Sequence, residues 1–414
     1  MNRALFVLFM ITSAAHAKDV KVSFGDLKAL VESQNERVQS AKSELGAAKA
    51  REGHLTRSFL PKIEAHAAQE SFKTGTQNQK SQPDYGAEAS VNLFNGGRDR
   101  LRENELETRS KRKEFEVKTN LADELARARE LYWTIIFNKN NLLLLKEALD
   151  VNSANVKAAQ RRIGSGVGTQ TDRLEFEMKA IELKREVSET ELRVKADSRD
   201  LLIMLGFEPE DSLTTDSELS HGGEWESAIR HTHEDHDFLV KPAELQALEA
   251  EAAAKEASRN WIPRLDAYAG WNQYNQREED PSEAKERQET VVGLRLKMNI
   301  FDGFSSQREA RALRMEAAAA NHIANYKRKS NEAHVEREFE ELKLLHDKVH
   351  EADENIKSAQ SYYRLTQSEY SRGVKNSPDV LGASEKLFGM KLKRLEMIRD
   401  FQIARSHVLS KIGK

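Results

Sequence analysis

Two short segments of the chain alternate between apolar and polar residues, which is the period of a β-strand with two different faces. In 85–93 the apolar residues fall on odd positions, and in 291–300 they fall on even positions. A partner strand precedes each segment, beginning at Ile63 and at Leu265. The pattern therefore predicts two β-hairpins, joined by polar loops. Their strands are predicted at about 60–72, 84–94, 262–274 and 290–301.

After each hairpin, apolar residues recur at heptad spacing over a very long stretch. The apolar stripe is narrow and the remaining faces are densely charged, which is typical of a coiled coil rather than of a globular core. A tight turn then leads into a second helix, which must run back antiparallel to the first. The long helices are predicted at 97–163 and 304–372, the returning helices at 170–205 and 377–412, and shorter helices before the hairpins at about 23–57 and 242–259.

The chain contains two copies of this unit. Leu60-Pro61-Lys62 matches Ile262-Pro263-Arg264 at an offset of 202 residues, whereas Asn92-Leu93-Phe94 matches Asn299-Ile300-Phe301 at an offset of 207. The second copy therefore has five extra residues between these points, in or beside its hairpin loop. A duplicated unit of this size has to be recognised before the fold is assigned.

The repeat defines the predicted domain organisation. The first structural repeat covers 18–206 and the second covers 241–414, and an irregular, polar, equatorial connector at 207–240 separates them. Residues 1–17 are predicted to be a signal peptide, because a positive residue and an apolar core are followed by the small-x-small site Ala15-His16-Ala17.

The composition limits how the chain can meet a membrane. Charged residues make up 32% of the sequence and the mean hydropathy is −0.71, which argues against membrane-spanning helices. Transmembrane β-strands remain compatible, because only one of their faces is apolar. A half-buried strand over a soluble core explains the alternation equally well, but the charged polar faces favour a wet lumen. Aromatic residues at both strand ends also favour lipid, at Phe59, Trp261, Phe94 and Phe301 on one side and at Phe72, Tyr85, Trp271 and Tyr274 near the other.

Four strands cannot close into a barrel, and an open sheet edge in lipid leaves backbone groups unpaired. The smallest known transmembrane barrels have eight strands. The chain must therefore oligomerise if it spans a membrane. A dimer supplies eight strands and a trimer supplies twelve.

Other functions find little support in the sequence. The net charge of −3 provides no electrostatic footprint for nucleic acid, and the absence of cysteine excludes thiol chemistry and disulfides. No nucleophile elbow, P-loop or HExxH motif is present, so neither an enzyme nor a cofactor is predicted. A histidine cluster in the connector could bind a metal, but flanking acids favour a solvated loop and no metal site is assigned. The cluster comprises His221, His231, His233 and His236.

The ordered set of motifs, found twice, resembles the TolC-like family of outer-membrane efflux proteins over essentially all of the mature chain. The matching features are the two strand entries given above, the strand exits Leu93-Phe94-Asn95-Gly96-Gly97 and Ile300-Phe301-Asp302-Gly303, and the turns Gly166-Val167-Gly168-Thr169-Gln170-Thr171-Asp172 and Gly373-Val374-Lys375-Asn376-Ser377-Pro378-Asp379. The resemblance implies a mainly α fold with a small transmembrane β part. It implies a homotrimer whose twelve strands form one β-barrel in the outer membrane and whose helices form an α-barrel across the periplasm.

The resemblance also implies a function and partners. The chain would be the exit duct of a tripartite efflux or type I secretion system, conducting its cargo passively, with a periplasmic adaptor protein and an inner-membrane transporter docked at the helical tip. The alternative is a non-channel periplasmic coiled-coil scaffold, in which the alternating segments pack against protein. The scaffold explains the heptads but not the aromatic residues at the strand ends or the two equivalent hairpins.

Candidate functional residues follow from the motif positions of the family. Asp172, Tyr370 and Lys375 match residues that link neighbouring helices at the closed tip, and Asp379 matches an acidic ring. Lys375 stands where the family has an arginine, so a bidentate link is lost, and Gly382 stands where a second ring acid can occur. Asp172 and Asp379 would equally well serve only as caps of the returning helices. The turn residues expected to receive the adaptor are Gly166, Val167, Gly168, Gly373 and Val374, although turn formation alone also favours these glycines.

Overall fold

The computed structural model describes residues 18–72, 80–216, 218–220, 237–275 and 286–411. The predicted signal peptide, most of both hairpin loops and the four connector histidines lie outside these described residues. The elements in chain order are β1 Asp19–Val22, α1 Leu27–Gln34, α2 Glu36–Arg51, α3 His54–Ser58, β2 Lys62–Phe72, β3 Lys80–Phe94, α4 Arg98–Gly164, α5 Gln170–Met204, β4 Ser212–Thr215, α6 Asp237–Ala257, β5 Arg264–Asn275, β6 Glu286–Lys297, α7 Ser305–Ser371 and α8 Ser377–Lys411.

The chain divides into two compact units, and neither coincides with one sequence repeat. The helical unit comprises Met1–Ser40, Lys118–His236 and Glu332–Lys414, and the sheet unit comprises Ala41–Val117 and Asp237–Asn331, in both cases as far as the residues are described. Each unit takes segments from both repeats, because the long helices α4 and α7 contribute residues to both units. None of the described helices combines the length and the apolar character that a membrane crossing requires.

The sheet unit contains an antiparallel sheet with the strand order β2-β3-β5-β6. The two hairpins are paired in the same register, since Lys62 lies opposite Ser90 in the first and Arg264 lies opposite Lys297 in the second. These pairs are equivalent under the offsets of the sequence repeat. Strands β3 and β5 join the two repeats, which leaves β2 and β6 as the edges of this sheet.

The last strand ends earlier than the sequence predicts. Strand β6 stops at Lys297, whereas the alternation predicted a strand as far as residue 301. The equivalent strand β3 continues to Phe94, because its last residues pair with the neighbouring strand β5, where Asn92 lies opposite Asp266. Within the described chain no strand occupies the corresponding position beyond β6, so residues 298–301 have no strand partner.

Ion pairs hold the helices of the sheet unit together. Glu249 of α6 accepts hydrogen bonds from the Nε atoms of Arg109 and Arg112 of α4, at 2.6 and 2.8 Å. The Arg112 side chain is only 17% exposed, and it also pairs with Glu116. Burial lowers the pKa of Arg112, but the two carboxylates outweigh this and raise it above its ordinary value. These links stabilise the contact between α4 and α6.

The sequence predicted one helix at 23–57, and the structure shows three. The backbone of Asn35 is extended, and its side-chain oxygen accepts hydrogen bonds from the backbone N–H groups of Arg37 and Val38, so it caps α2 and separates it from α1. Gly53 adopts a left-handed φ of 77°, and Glu103 of α4 accepts hydrogen bonds from its backbone N–H and from that of Leu55. These bonds separate α3 from α2.

The connector, predicted to be irregular throughout, contains an ordered strand. Residues 212–215 form β4, which pairs in parallel with β1. The prediction failed here because the strand is only four residues long and its partner lies about 190 residues away along the chain. Leu213 packs against the main apolar core of the helical unit, whose fully buried side chains include Tyr132, Ile135 and Leu201.

Candidate functional site

The candidate site lies in the helical unit, where two turns connect α4 to α5 and α7 to α8. Gly166 and Gly373 follow the two long helices with φ values of 78° and 85°. The N–H groups of Gly166 and Val167 bond to the carbonyl groups of Ile163 and Arg162, at 3.0 and 3.1 Å. This pattern is a Schellman motif, which satisfies the free carbonyl groups of a helix end and favours glycine at the left-handed position.

The second turn repeats this geometry. The N–H groups of Gly373 and Val374 bond to the carbonyl groups of Tyr370 and Glu369, at 3.0 and 2.9 Å. In a Schellman motif the residue after the glycine usually packs back on its own helix. Here both of these residues are apolar and face solvent, because Val167 is 63% exposed and Val374 is 72% exposed.

The two turns approach each other closely. A Cβ atom added to Gly373 would lie 3.6 Å from the side chain of Val167, within van der Waals contact. Gly168 packs against its own helix, since a Cβ atom there would lie 2.9 Å from the Cβ atom of Arg162. All five turn residues singled out in the sequence are therefore brought together, and Gly168 is the one whose small size the packing requires.

Both candidate aspartates cap the returning helices, as one of the two interpretations of the sequence proposed. In the first turn the carboxylate of Asp172 accepts the backbone N–H of Thr169 at 3.1 Å, and the hydroxyl of Thr169 accepts the N–H of Asp172. In the second turn the carboxylate of Asp379 accepts the N–H of Asn376 at 3.2 Å, and the side chain of Asn376 accepts the N–H of Asp379. The two pairs are equivalent under the repeat and form capping boxes.

Asp172 has a second role that Asp379 lacks. Its Oδ1 atom accepts a hydrogen bond of 2.6 Å from the hydroxyl of Ser377, which is 1% exposed at the start of α8. The Ser377 hydroxyl also lies within hydrogen-bond distance of Glu175. Burial raises the pKa of Asp172, but the hydrogen bonds from Ser377 and Thr169 outweigh it and hold the pKa below its ordinary value. Asp172 therefore links the first turn to the second within one chain.

Tyr370 lies at the end of α7, buried between two side chains of the first repeat. The guanidinium group of Arg162 lies 4.1 Å from the centre of the tyrosine ring, and its Nη1 atom donates a 2.8 Å hydrogen bond to the Tyr370 carbonyl. The ring of Phe176 meets the tyrosine ring edge-on at 6.1 Å. Burial raises the pKa of the Tyr370 hydroxyl, and the charge of Arg162 only partly opposes this shift.

Lys375 pairs with Asp379 in its own turn, at 3.7 Å, and both side chains are partly exposed. An exposed pair of this kind contributes about 0–1 kcal/mol to stability. The structure thus brings all four candidate gate residues to the two turns. Within one chain, however, it joins Asp172 to Ser377 and Lys375 to Asp379.

The comparison with protein families decides between the channel and the scaffold. Residues 231–413 match the family of outer membrane efflux proteins. This segment covers all but the last residue of the second repeat, and the first repeat has the same order of helices and strands. The second half of the chain is therefore similar to outer membrane efflux proteins. The outer-membrane location and the channel function predicted from the sequence are thus confirmed, and the scaffold interpretation is not supported.

Solved structures share the fold of this chain. VceC from Vibrio cholerae matches with a TM-score of 0.78 and 12% identity, over 94% of this chain and 96% of that chain. CmeC from Campylobacter jejuni matches with 0.76 and 13%, over 94% and 85%. MtrE from Neisseria gonorrhoeae matches with 0.70 and 13%, over 94% and 87%. The predicted mainly α, TolC-like fold class is therefore confirmed. No curated protein matches the chain by sequence.

Sequence reasoning missed three side chains of the site. Arg162 was not selected, because an arginine in the last turn of a helix is already explained by the helix dipole. Ser377 and Glu175 were not selected, because their contacts join residues about 200 positions apart. The repeat carries a signal for this pair, because the two copies differ at both positions. The residue equivalent to Ser377 is Gln170, and the residue equivalent to Glu175 is Gly382. The hydrogen bonds of Ser377 therefore have no counterpart with the same side chains in the other copy.

Replacing Ser377 by alanine is expected to destabilise the protein at neutral pH by about 1 kcal/mol, the contribution of one hydrogen bond. The pKa of Asp172 is lowered in the folded protein, so this stabilisation is present above the ordinary aspartate pKa and is lost as the pH falls through the folded-state pKa. Guanidinium unfolding in detergent should show a constant difference from wild type between pH 7 and pH 5 that shrinks below about pH 4.

The matched control is Gln170→Ala, at the equivalent position of the first repeat, where the side chain is exposed. Its unfolding midpoint should stay close to that of wild type at every pH. A Ser377→Ala variant that behaves like the control would show that the hydroxyl does not hold Asp172.

Proposed function

We propose that three copies of this chain form one channel, which serves as the exit duct of a tripartite efflux or type I secretion system. The observation that carries the proposal is a four-stranded sheet whose two edges, β2 and β6, have no partner within the described chain. Open edges in lipid would leave backbone N–H and C=O groups without hydrogen bonds. Three copies supply twelve strands, a number within the range of transmembrane barrels, and cargo passes through the lumen without chemistry.

The two faces of the sheet support a position in lipid. One face of β6 exposes Val292, Leu294 and Leu296, which are 80%, 68% and 68% exposed. The opposite face carries Arg295, which forms a 3.1 Å ion pair with Glu88 of β3. Apolar residues outside and charged residues inside are typical of a barrel with a wet lumen.

The exposed apolar side chains of the two turns support adaptor docking. Val167 and Val374 project from turns whose remaining surface is polar. Apolar residues exposed together mark surfaces that bind another protein. We infer that Gly166, Gly168 and Gly373 set the shape of this surface, which receives a periplasmic adaptor connected to an inner-membrane transporter.

The polar links of the same turns support a gate made of Asp172, Tyr370, Lys375 and Asp379. Each link is a hydrogen bond or an exposed ion pair, so each is weak enough to exchange between a closed and an open state. The structure of MtrE is described as an open state, which shows that a channel with this fold can open. In a trimer, three Asp379 carboxylates would form a ring that attracts cations.

Neutralising Asp379 is expected to lower the cation selectivity of the channel. Asp379→Ala removes both the charge and the helix cap, whereas Asp379→Asn removes mainly the charge. If the Asp379 carboxylates form an electrostatic ring, the cation-to-anion permeability ratio should fall in both variants. Reversal potentials of single channels in bilayers with asymmetric KCl measure this ratio. The control, Glu354→Ala, removes an exposed carboxylate of α7 outside the turns and should leave the ratio unchanged.

The outcomes separate the gate residue from the duct. Conducting trimers with unchanged selectivity in both Asp379 variants would remove the acidic ring and leave the channel. A wild-type protein that is released from membranes by mild salt washing and gives no conductance would overturn the duct itself.

A further inference from the structure

A narrow slot lies inside the helical unit, between the three helices α4, α5 and α8. Its volume is about 170 Å³, and its apolar walls come from leucine side chains of all three helices together with Phe388. Gly389 lines the slot without a side chain, and a Cβ atom there would meet no other atom within 4 Å. An apolar cavity of about 150 Å³ is large enough to hold one benzene ring. The slot therefore has room for a molecule with one aromatic ring.

Two amide oxygen atoms in the slot have no hydrogen-bond partner in the described part of the chain. Asn152 is 4% exposed, and its Nδ2 atom donates a 2.7 Å hydrogen bond to the Phe176 carbonyl, which fixes the orientation of the amide group. The Oδ1 atom of Asn152 is buried and unpaired, and so is the Oδ1 atom of Asn141 in the same helix. A buried acceptor without a partner costs stability unless a ligand supplies the donor. Both asparagines thus favour a ligand that donates hydrogen bonds.

One carboxylate of the slot is also without a partner. The charged residues that line the slot are Lys179, Glu186 and Glu385. Lys179 pairs with Glu385 at 2.8 Å and with Glu182 at 2.9 Å, so its charge is already compensated. Among the residues that the structure describes, none forms a hydrogen bond or ion pair with the half-buried Glu186. The slot therefore carries an uncompensated negative charge, which favours a cationic donor over a neutral or an anionic one.

Glu186 lies between the two unpaired asparagines along the slot. Helix α5 runs antiparallel to α4, and it contacts α4 through the Phe176 carbonyl and again where Nδ2 of Asn138 donates a 2.9 Å hydrogen bond to Asp197. Glu186 is about midway between these contacts in α5, which places it level with about residue 145 of α4. At ~1.5 Å per residue, neighbouring acceptors are therefore about 6–10 Å apart along the slot. A ligand that reaches both a carboxylate and an amide oxygen must be elongated and must carry a donor near each end.

The second repeat shows that the pairing of the helices does not require these polar groups. Under the offset of 207 residues, the three acceptors of the slot correspond to Lys348, Ala359 and Lys393. Ala359 is 4% exposed, so a buried position that holds Asn152 in the first repeat holds a small apolar residue in the second. The charge of Glu186 is reversed at its equivalent. The acceptors are therefore a property of the slot and not of the coiled-coil packing that both repeats share.

We propose that this slot binds a small aromatic ammonium ion that carries a second hydrogen-bond donor on the far side of its ring. The ammonium group bonds to the carboxylate of Glu186, the ring lies among the leucine side chains, and the second donor reaches an amide oxygen of Asn141 or Asn152. This site goes beyond the proposed duct and does not depend on it, because the slot lies within one chain.

Titration of the detergent-solubilised full chain with tyramine, followed by ligand-observed NMR, tests the chemistry of the site. Tyrosol carries a neutral hydroxyl in place of the ammonium group and should bind about tenfold more weakly, since a charge-assisted hydrogen bond is lost. The anion 3-(4-hydroxyphenyl)propanoate should show no saturable binding. Phenethylammonium lacks the second donor and should bind more weakly than tyramine. Equal behaviour of all four probes would show mere partitioning of the aromatic ring and would overturn the proposal.

Gly389→Leu tests whether the slot itself holds the ligand. The new side chain enters open space, and leucine has a higher helix propensity than glycine, so the variant should fold. It should abolish saturable tyramine binding. Gly382→Leu is the matched control, because it makes the same change seven residues earlier in α8, where a Cβ atom also meets nothing within 4 Å but the residue does not line the slot. Tyramine binding that survives Gly389→Leu would place the ligand elsewhere.

Glu186→Gln tests the position of the ammonium group. Tyramine should bind about tenfold more weakly to this variant, whereas the affinity for tyrosol should not change. The control, Glu189→Gln, removes an exposed carboxylate of the same helix outside the slot and should leave both affinities unchanged. Undiminished tyramine affinity in Glu186→Gln would overturn the assignment of Glu186. Conductance of the same variants reports on the duct separately, since none of these substitutions alters the sheet.

Discussion

Replacing Val292 by arginine is expected to abolish insertion of the channel into the outer membrane. Val292 lies near the middle of β6 on the apolar face of the sheet and is 80% exposed in the single chain. An arginine facing lipid near the bilayer midplane costs about 2–4 kcal/mol in a transmembrane barrel. The proposed trimer would contain three copies of the substitution, so the total cost would be on the order of 10 kcal/mol. This is comparable to the whole folding stability of a typical domain, about 5–15 kcal/mol.

The neighbouring residue supplies a matched control. Val291 points to the opposite face of the same strand, where it lies opposite Gly270, and Gly270 in turn lies opposite Glu88. Val291→Arg makes the same chemical change on the face that is proposed to line the lumen and that already carries Arg295 and Glu88, so this variant should insert. Outer-membrane fractionation and unheated detergent gels measure both variants. A Val292→Arg trimer that inserts as well as Val291→Arg would place β6 away from lipid.

The sequence was most informative where one physical period governs a long segment. The heptad stripe predicted α4 and α7 to within about one residue at each end, because an uninterrupted apolar stripe of that length is compatible only with one continuous helix. The alternation in 85–93 and 291–300 predicted the hairpins for a similar reason, since one face of each strand must stay apolar. The internal repeat then predicted the element order of each half of the chain.

The predictions failed where one side chain from a distant segment decides the local structure. The helix at 23–57 is divided because Glu103 of α4 accepts hydrogen bonds from backbone groups near Gly53. No local pattern carries that information, since α2 and α3 each have ordinary helix-forming residues. Strand β6 ends early for a related reason, because strand length depends on a neighbour as well as on the alternation of the strand itself.

The candidate site contains both local contacts, which the sequence predicts, and contacts between distant segments, which it does not. The capping boxes at Thr169 and Asp172, and at Asn376 and Asp379, are local patterns with a fixed spacing of three residues, so sequence alone suggested the capping role. The link from Asp172 to Ser377 crosses between the repeats and depends on the packing of the two turns. The roles of Asp172, Tyr370, Lys375 and Asp379 in gating remain predictions until channels with these substitutions are measured.

Replacing Phe176 by alanine is expected to destabilise the helical unit by about 3–5 kcal/mol, the usual cost of removing a fully buried phenylalanine. The Phe176 side chain is 0% exposed in an apolar cluster that joins α5 to α7 and α8, with Tyr370 and Val380 among its neighbours. Truncation leaves a cavity between three helices, and long helices restrained at their ends cannot collapse to fill it. Guanidinium unfolding of the detergent-solubilised protein, followed by circular dichroism, measures the loss.

Leu174 provides the matched control for Phe176, because it lies two residues before Phe176 on the same helix, α5, and its side chain is 50% exposed. Leu174→Ala should change stability by no more than about 0.5 kcal/mol, as is usual for a surface substitution. Phe176 also fixes one face of the Tyr370 ring, so Phe176→Ala should free Tyr370 and increase spontaneous channel opening, whereas Leu174→Ala should not. If both variants lose the same stability and open equally often, the cluster does not hold the tip closed, and the gate would have to depend on the polar links alone.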